Sequence, residues 1–132
     1  NLNSMMLGIK QGWFPPLPNI QNRKSMVHVD DLVRAIMFIS ENNQNSAEIF
    51  NITDGKHYSS REIYDTMREL LGKPAPKWRV PNFAFNLAGL MHPKVKQKVD
   101  KLFLDTFYSS KKIEGLGYVA NKTLKDMNES CY

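Results

Sequence analysis

The stretch that most constrains this chain is Arg23 to Ala35, Arg-Lys-Ser-Met-Val-His-Val-Asp-Asp-Leu-Val-Arg-Ala. Ser25 to Val29 is a β-favouring run long enough for one strand. Asp30 and Asp31 are side chains that accept the open N–H groups of a helix start. Leu32, Val33, Ile36 and Met37 recur at helical spacing, so the helix that follows has one apolar face. Arg23 stands just ahead of the strand, at the edge of whatever core the strand enters. A planar guanidinium there can grip an anion through two parallel hydrogen bonds.

The flanking sequence reads as short elements. Leu2, Met5, Met6 and Ile9 mark a helix ending near Gly12, and Pro15, Pro16 and Pro18 make the next stretch a loop. Asn42 to Ser46 is a polar turn. Glu48 to Ile52 is a second β run, closed by Asp54-Gly55. Ser59 and Glu62 have capping-box spacing, and Ile63, Met67, Leu70 and Leu71 give an amphipathic helix stopped by Gly72. Lys77 to Val80 is a possible third strand. Pro81 opens an apolar helix through Phe83 to Met91, with a turn at His92-Pro93. Val95, Val99, Leu102 and Phe103 lie on one helix face. Ser109 or Ser110 caps a short helix ended by Gly115 and Gly117, and Thr123 to Asn128 is a last helical turn. Helices dominate, and two short strands cannot make a stable sheet alone.

At 132 residues, with 42% apolar and 23% charged residues, the chain has the composition of one soluble globular domain. Its net charge of +5 favours anionic partners, nucleotides or nucleic acid among them. A single cysteine, Cys131, excludes an internal disulfide and fits a reducing cytoplasm. No run of about 18 apolar residues exists, so no membrane span is expected.

Four motifs in order resemble the extended short-chain dehydrogenase/reductases. These are the NAD-dependent nucleotide-sugar epimerases and dehydratases, of the UDP-glucose 4-epimerase kind. The first motif is the arginine–strand–Asp-Asp–helix stretch. The others are Glu48-Ile-Phe-Asn-Ile-Thr-Asp-Gly55, Ser59-Ser-Arg-Glu-Ile63 and Tyr108-Ser-Ser-Lys-Lys-Ile-Glu-Gly-Leu-Gly-Tyr118. The resemblance implies a helix-rich α/β fold with few short strands, residues 1–132 forming one C-terminal substrate-binding part. The NAD-binding Rossmann half is then missing, and the chain reads as a piece of something longer. The resemblance further implies that Arg23 binds a phosphate oxygen of a UDP- or dTDP-linked sugar. It implies that Asn1, opening the first helix eleven residues before Gly12, contacts the same ligand. NAD would serve the full-length parent and would not be bound by this fragment. A 4-ketosugar reductase of the same family is the nearest alternative.

The other chemistry-bearing residues have plainer readings. His28, flanked by Val27 and Val29, reads as structural, and His28, His57 and His92 lack zinc-ligand spacing. Tyr108 with Lys112 and Tyr118 with Lys122 both match the family's Tyr-x-x-x-Lys. Both follow Arg23, whereas the family's catalytic pair precedes the corresponding arginine, so no catalytic residue is assigned here. The glycine-rich pyrophosphate loop is absent from these residues. Trp13, Phe14 and Trp78 either stack on the ligand's base or sugar or plug the core. Lys94, Lys96, Lys98 and Lys101 read as a solvated helix face, against the alternative of a non-catalytic module binding nucleic acid. The apolar faces at Leu32–Met37 and Phe83–Met91 are expected to be exposed where the missing half would dock, and to drive self-association.

Overall fold

The structure is a computed structural model that describes residues 2–42, 47–74, 76–81, 83–85, 87 and 93–127. Asn1, the turn at residues 43–46, most of the apolar stretch after Phe85, His92 and Cys131 lie outside the described residues. The helices are α1 (Leu2–Gln11), α2 (Val29–Asn42), α3 (Ser60–Leu70), α4 (Pro93–Phe103) and α5 (Lys111–Glu114), with a 3₁₀ turn at Leu124–Asp126. The chain divides into two units. One runs up to Lys24 and resumes over Tyr58–Asp105; the other comprises Ser25–His57 and the segment from Thr106 onward.

In the first unit α1 packs on α3. Met5, Met6 and Ile9 of α1 and Ile63, Tyr64 and Met67 of α3 are buried, as are Leu17 and Ile20 of the proline loop. Phe14 stacks on Tyr64 with ring centroids 5.9 Å apart. Ser59 and Glu62 form the expected capping box, with Glu62 N donating to Ser59 Oγ at 3.0 Å and Ser59 N to Glu62 Oε2 at 2.6 Å. Gly12 and Gly72 end α1 and α3 with φ of +83° and +63°, a region that a side chain resists. Lys73 Nζ donates to the carbonyls of Ile9 (2.7 Å) and Lys10 (2.9 Å), satisfying part of α1's open end. Residues 83–85 are helical, and Phe85 meets Phe103 of α4 at 5.8 Å.

In the second unit Ala35, Ile113 and Tyr118 form the centre, with Phe38, Ile39, Phe50, Ile52 and Ala120 around them. The packed face of α2 is thus Asp31, Ala35, Phe38 and Ile39. Leu32, Val33, Ile36 and Met37 are exposed, at 38–59%.

Two local expectations are corrected. The helix begins at Val29, and its cap is His28, not the aspartates. His28 Nδ1 accepts the Asp30 N–H at 3.2 Å and its carbonyl accepts Leu32 N–H at 3.0 Å. Asp30 and Asp31 therefore fall in the first turn, where the dipole favours them. The second correction concerns the strands at Ser25–Val29, Glu48–Ile52 and Lys77–Val80, none of which forms. Among the described residues β-pairing consists of isolated bridges, such as the antiparallel one between Lys24 and Tyr58, with Thr106 also in a bridge position. In the second unit Ser25 N donates to Thr106 O, and Met26 O accepts from Asp54 N. In the first, Val80 N reaches Pro16 O. These bonds go to different neighbours, and no run of them extends into a strand among the described residues. The described residues are rich in helix, with almost no strand.

Candidate functional site

Arg23 sits in a loop fixed on both sides. Before it, buried Asn22 donates through Nδ2 to Ser60 Oγ (3.1 Å), Leu102 O (2.9 Å) and Leu104 O (3.1 Å), and accepts Ser60 N–H through Oδ1 (2.8 Å). Ser60 Oγ itself donates to Leu102 O at 2.6 Å. After it, Lys24 exchanges backbone hydrogen bonds with Tyr58 at 2.8 and 2.9 Å. Lys24 Nζ donates to Lys101 O and Leu104 O, both at 2.7 Å. The carbonyls that end α4 are thereby satisfied by the loop carrying Arg23. Partial burial pulls the Lys24 ammonium below the usual lysine range, and nearby Asp105 opposes that shift.

The Arg23 N–H donates to Asp105 Oδ1 at 2.8 Å, and Nε and Nη2 both reach Oδ2 at 3.4 Å. The carboxylate thus lies along one edge of the guanidinium. Both side chains are about half exposed, at 55% and 46%, so the pair adds little to stability. The Asp105 carboxyl is held below the ordinary carboxylate range, first by the Arg23 backbone N–H, with slight burial opposing and the guanidinium assisting.

Asn22 and Asp105 were not legible as site residues. Asn22 reads as one more polar loop residue, and Asp105 meets Arg23 across 82 positions with no local motif to announce it. Asn1 lies outside the described residues and is not placed relative to Arg23. The three aromatic candidates separate: Phe14 plugs the core against Tyr64, while Trp13 and Trp78 are exposed at 63% and 62%.

The second unit holds a different cluster. The Asp31 carboxylate, 1% exposed, accepts from Asn121 N (3.1 Å), Lys122 N (2.7 Å) and Arg34 Nη1 (2.5 Å). Burial pushes its pKa up. The backbone amides and Arg34 together outweigh burial, so the carboxyl ends below its ordinary value. Tyr118 Oη donates to Asp31 O at 2.6 Å, and burial raises its pKa further from neutrality. Lys122 Nζ pairs with Asp30 and Lys112 with Glu48. Each Tyr-x-x-x-Lys lysine is therefore engaged in an ion pair, and His28 caps a helix. A cavity of about 210 Å³ is lined by Thr53, Asp54, Ser110, Glu114 and Tyr118. Its hydroxyls satisfy one another: Thr53 Oγ1 and Ser110 Oγ are 2.9 Å apart, and Ser110 Oγ donates to Glu114 Oε1 at 2.5 Å. Among the described residues no group of three or more His, Cys, Asp or Glu is arranged to hold a metal. No described helix is long and apolar enough to cross a membrane.

No family model matches the chain. Over 130 residues it is 29% identical to a UDP-glucose 4-epimerase from Vibrio cholerae. The alignment covers 96% of this chain and 39% of that protein, so the chain spans about two fifths of the relative's length.

Proposed function

We propose that this chain is the nucleotide-sugar-binding part of an NAD-dependent sugar epimerase or dehydratase, epimerase-like in character, with Arg23 as its diphosphate ligand. The observation that carries the reading is the Arg23 loop. Asn22 and Lys24 fix it from both sides, and a carboxylate sets the guanidinium plane. The distant partial likeness to an epimerase supports the same reading. A preorganised guanidinium binds a diphosphate with less entropy loss than a mobile one. Holding the diphosphate fixes where the attached sugar lies, and such positioning supplies much of an enzyme's rate. Asn1 is a proposed second contact, beside a helix start that favours anions.

We propose that NAD is bound outside these residues. Among the described residues, the positive-φ glycines Gly12, Gly55, Gly72 and Gly117 lie in separate turns and not in one glycine loop. A Cβ on Gly8 would meet Phe14 and Trp13 at 3.0 Å, so that glycine serves packing. We place NAD, and the proton-transfer groups, elsewhere in the whole protein. The exposed α2 face is the proposed seat of that remaining part. The competing reading is a non-catalytic nucleic-acid module carried by the lysines of α4.

The test is a salt series on the full-length protein with UDP, dTDP and a single-stranded oligonucleotide. Nucleoside diphosphate binding with a base preference and a shallow salt dependence is expected. Binding of the oligonucleotide alone, falling steeply with salt, would replace this reading with the nucleic-acid one.

A further inference from the structure

We infer that Asp105 is a positioning residue for Arg23, setting the guanidinium so that the edge it presents to a diphosphate is fixed before ligand arrives. The inference rests on the proposed role of Arg23 and deepens it. A guanidinium has five N–H donors in a rigid plane, so gripping one edge fixes the direction of the rest. Asp105 makes that grip at two levels. Oδ1 takes the backbone N–H of Arg23 at 2.8 Å, and Oδ2 lies 3.4 Å from both Nε and Nη2. One carboxylate therefore ties the side chain's direction to the backbone from which it springs.

The carboxylate is itself held. Asp105 directly follows Leu104, whose carbonyl accepts from both Asn22 Nδ2 (3.1 Å) and Lys24 Nζ (2.7 Å). The residues on either side of Arg23 thus bind the residue next to Asp105. The arrangement is a closed clamp, residues 22–24 on one side and 101–105 on the other. Its half-exposed side-chain pair gives little stability, which leaves orientation as its physical effect.

Electrostatics alone makes the opposite prediction. A carboxylate close to a bound diphosphate repels it, so neutralising Asp105 would tighten binding if charge were all that mattered. Positioning predicts weaker binding in spite of the lost repulsion.

The experiment is a double-mutant cycle in the full-length protein, titrating UDP into wild type, Arg23→Ala, Asp105→Asn and the double variant, with a melting curve for each. Asp105→Asn should weaken UDP binding about threefold to tenfold, and the double variant should bind no worse than Arg23→Ala. Asp105→Asn should cost less again in an Arg23→Lys background, where there is no fork to orient. If Asp105→Asn binds UDP as well as wild type or better while Arg23→Ala weakens, the positioning role is wrong and the diphosphate role of Arg23 stands. Additive losses would mean a general structural effect and would equally overturn the inference. Unchanged binding by Arg23→Ala would remove the functional reading and this inference together.

Discussion

Asp31 illustrates how one buried charge can organise a segment far from it in sequence. Its carboxylate accepts two backbone N–H groups from Asn121 and Lys122 and an arginine donor. Asp31→Ala would leave those amides without their acceptor. We expect a loss of about 3 kcal/mol in urea unfolding, since each orphaned polar group costs about 1–3 kcal/mol. A loss under about 1 kcal/mol, within the range of an ordinary surface change, would contradict this assignment. The pH dependence has a definite sign. The folded carboxyl titrates below its ordinary value, so its contribution is fully present above the unfolded value of about 3.9. That contribution is lost as the pH falls through the lower, folded value. Acid unfolding of Asp31→Asn, followed by circular dichroism, should show a shallower pH slope than wild type. Equal slopes would assign the acid sensitivity to other carboxylates.

At the scale of elements, what was legible was local. The capping box of α3 and the glycine stops of α1 and α3 depend on residues within one turn of each other, and they form where expected. Ser59→Ala should therefore cost about 1 kcal/mol, readable as a lowered melting temperature. An unchanged melt would mean the cap is redundant. What was illegible depends on distant partners. Ser25–Val29 has the composition of a strand, yet a strand is a property of a ladder, and no ladder forms among the described residues. The packed face of α2 was hidden for the same reason. It is headed by an aspartate, because the groups that satisfy Asp31 come some 90 positions later. Asp30-Asp31 reads as a cap until His28 is seen accepting the Asp30 N–H. The Arg23 region was legible as a motif, while the residues that hold it, Asn22 and Asp105, were not.

At the scale of the molecule, the exposed face of α2 sets the expected behaviour of the isolated chain. Val29, Leu32, Val33, Ile36 and Met37 are all exposed on that one helix, and contiguous apolar surface of this kind drives association. Sedimentation of the 132-residue chain should show concentration-dependent self-association, relieved by Ile36→Lys. A strict monomer at high concentration, with no binding of a hydrophobic dye, would count against it. The chain alone should turn over no nucleotide sugar with added NAD, because its residues offer no pyrophosphate loop. Arg23 as an anion ligand is the centre of the proposed function. The direct measurement is calorimetric titration of UDP into the full-length protein, comparing wild type, Arg23→Ala and Arg23→Lys. A charge-assisted hydrogen bond contributes about 1.5–3 kcal/mol, so Arg23→Ala should bind about tenfold to a hundredfold more weakly. Arg23→Lys should recover only part of that, keeping the charge without the planar fork. Equal affinity across all three proteins would return Arg23 to an ordinary surface residue paired with Asp105.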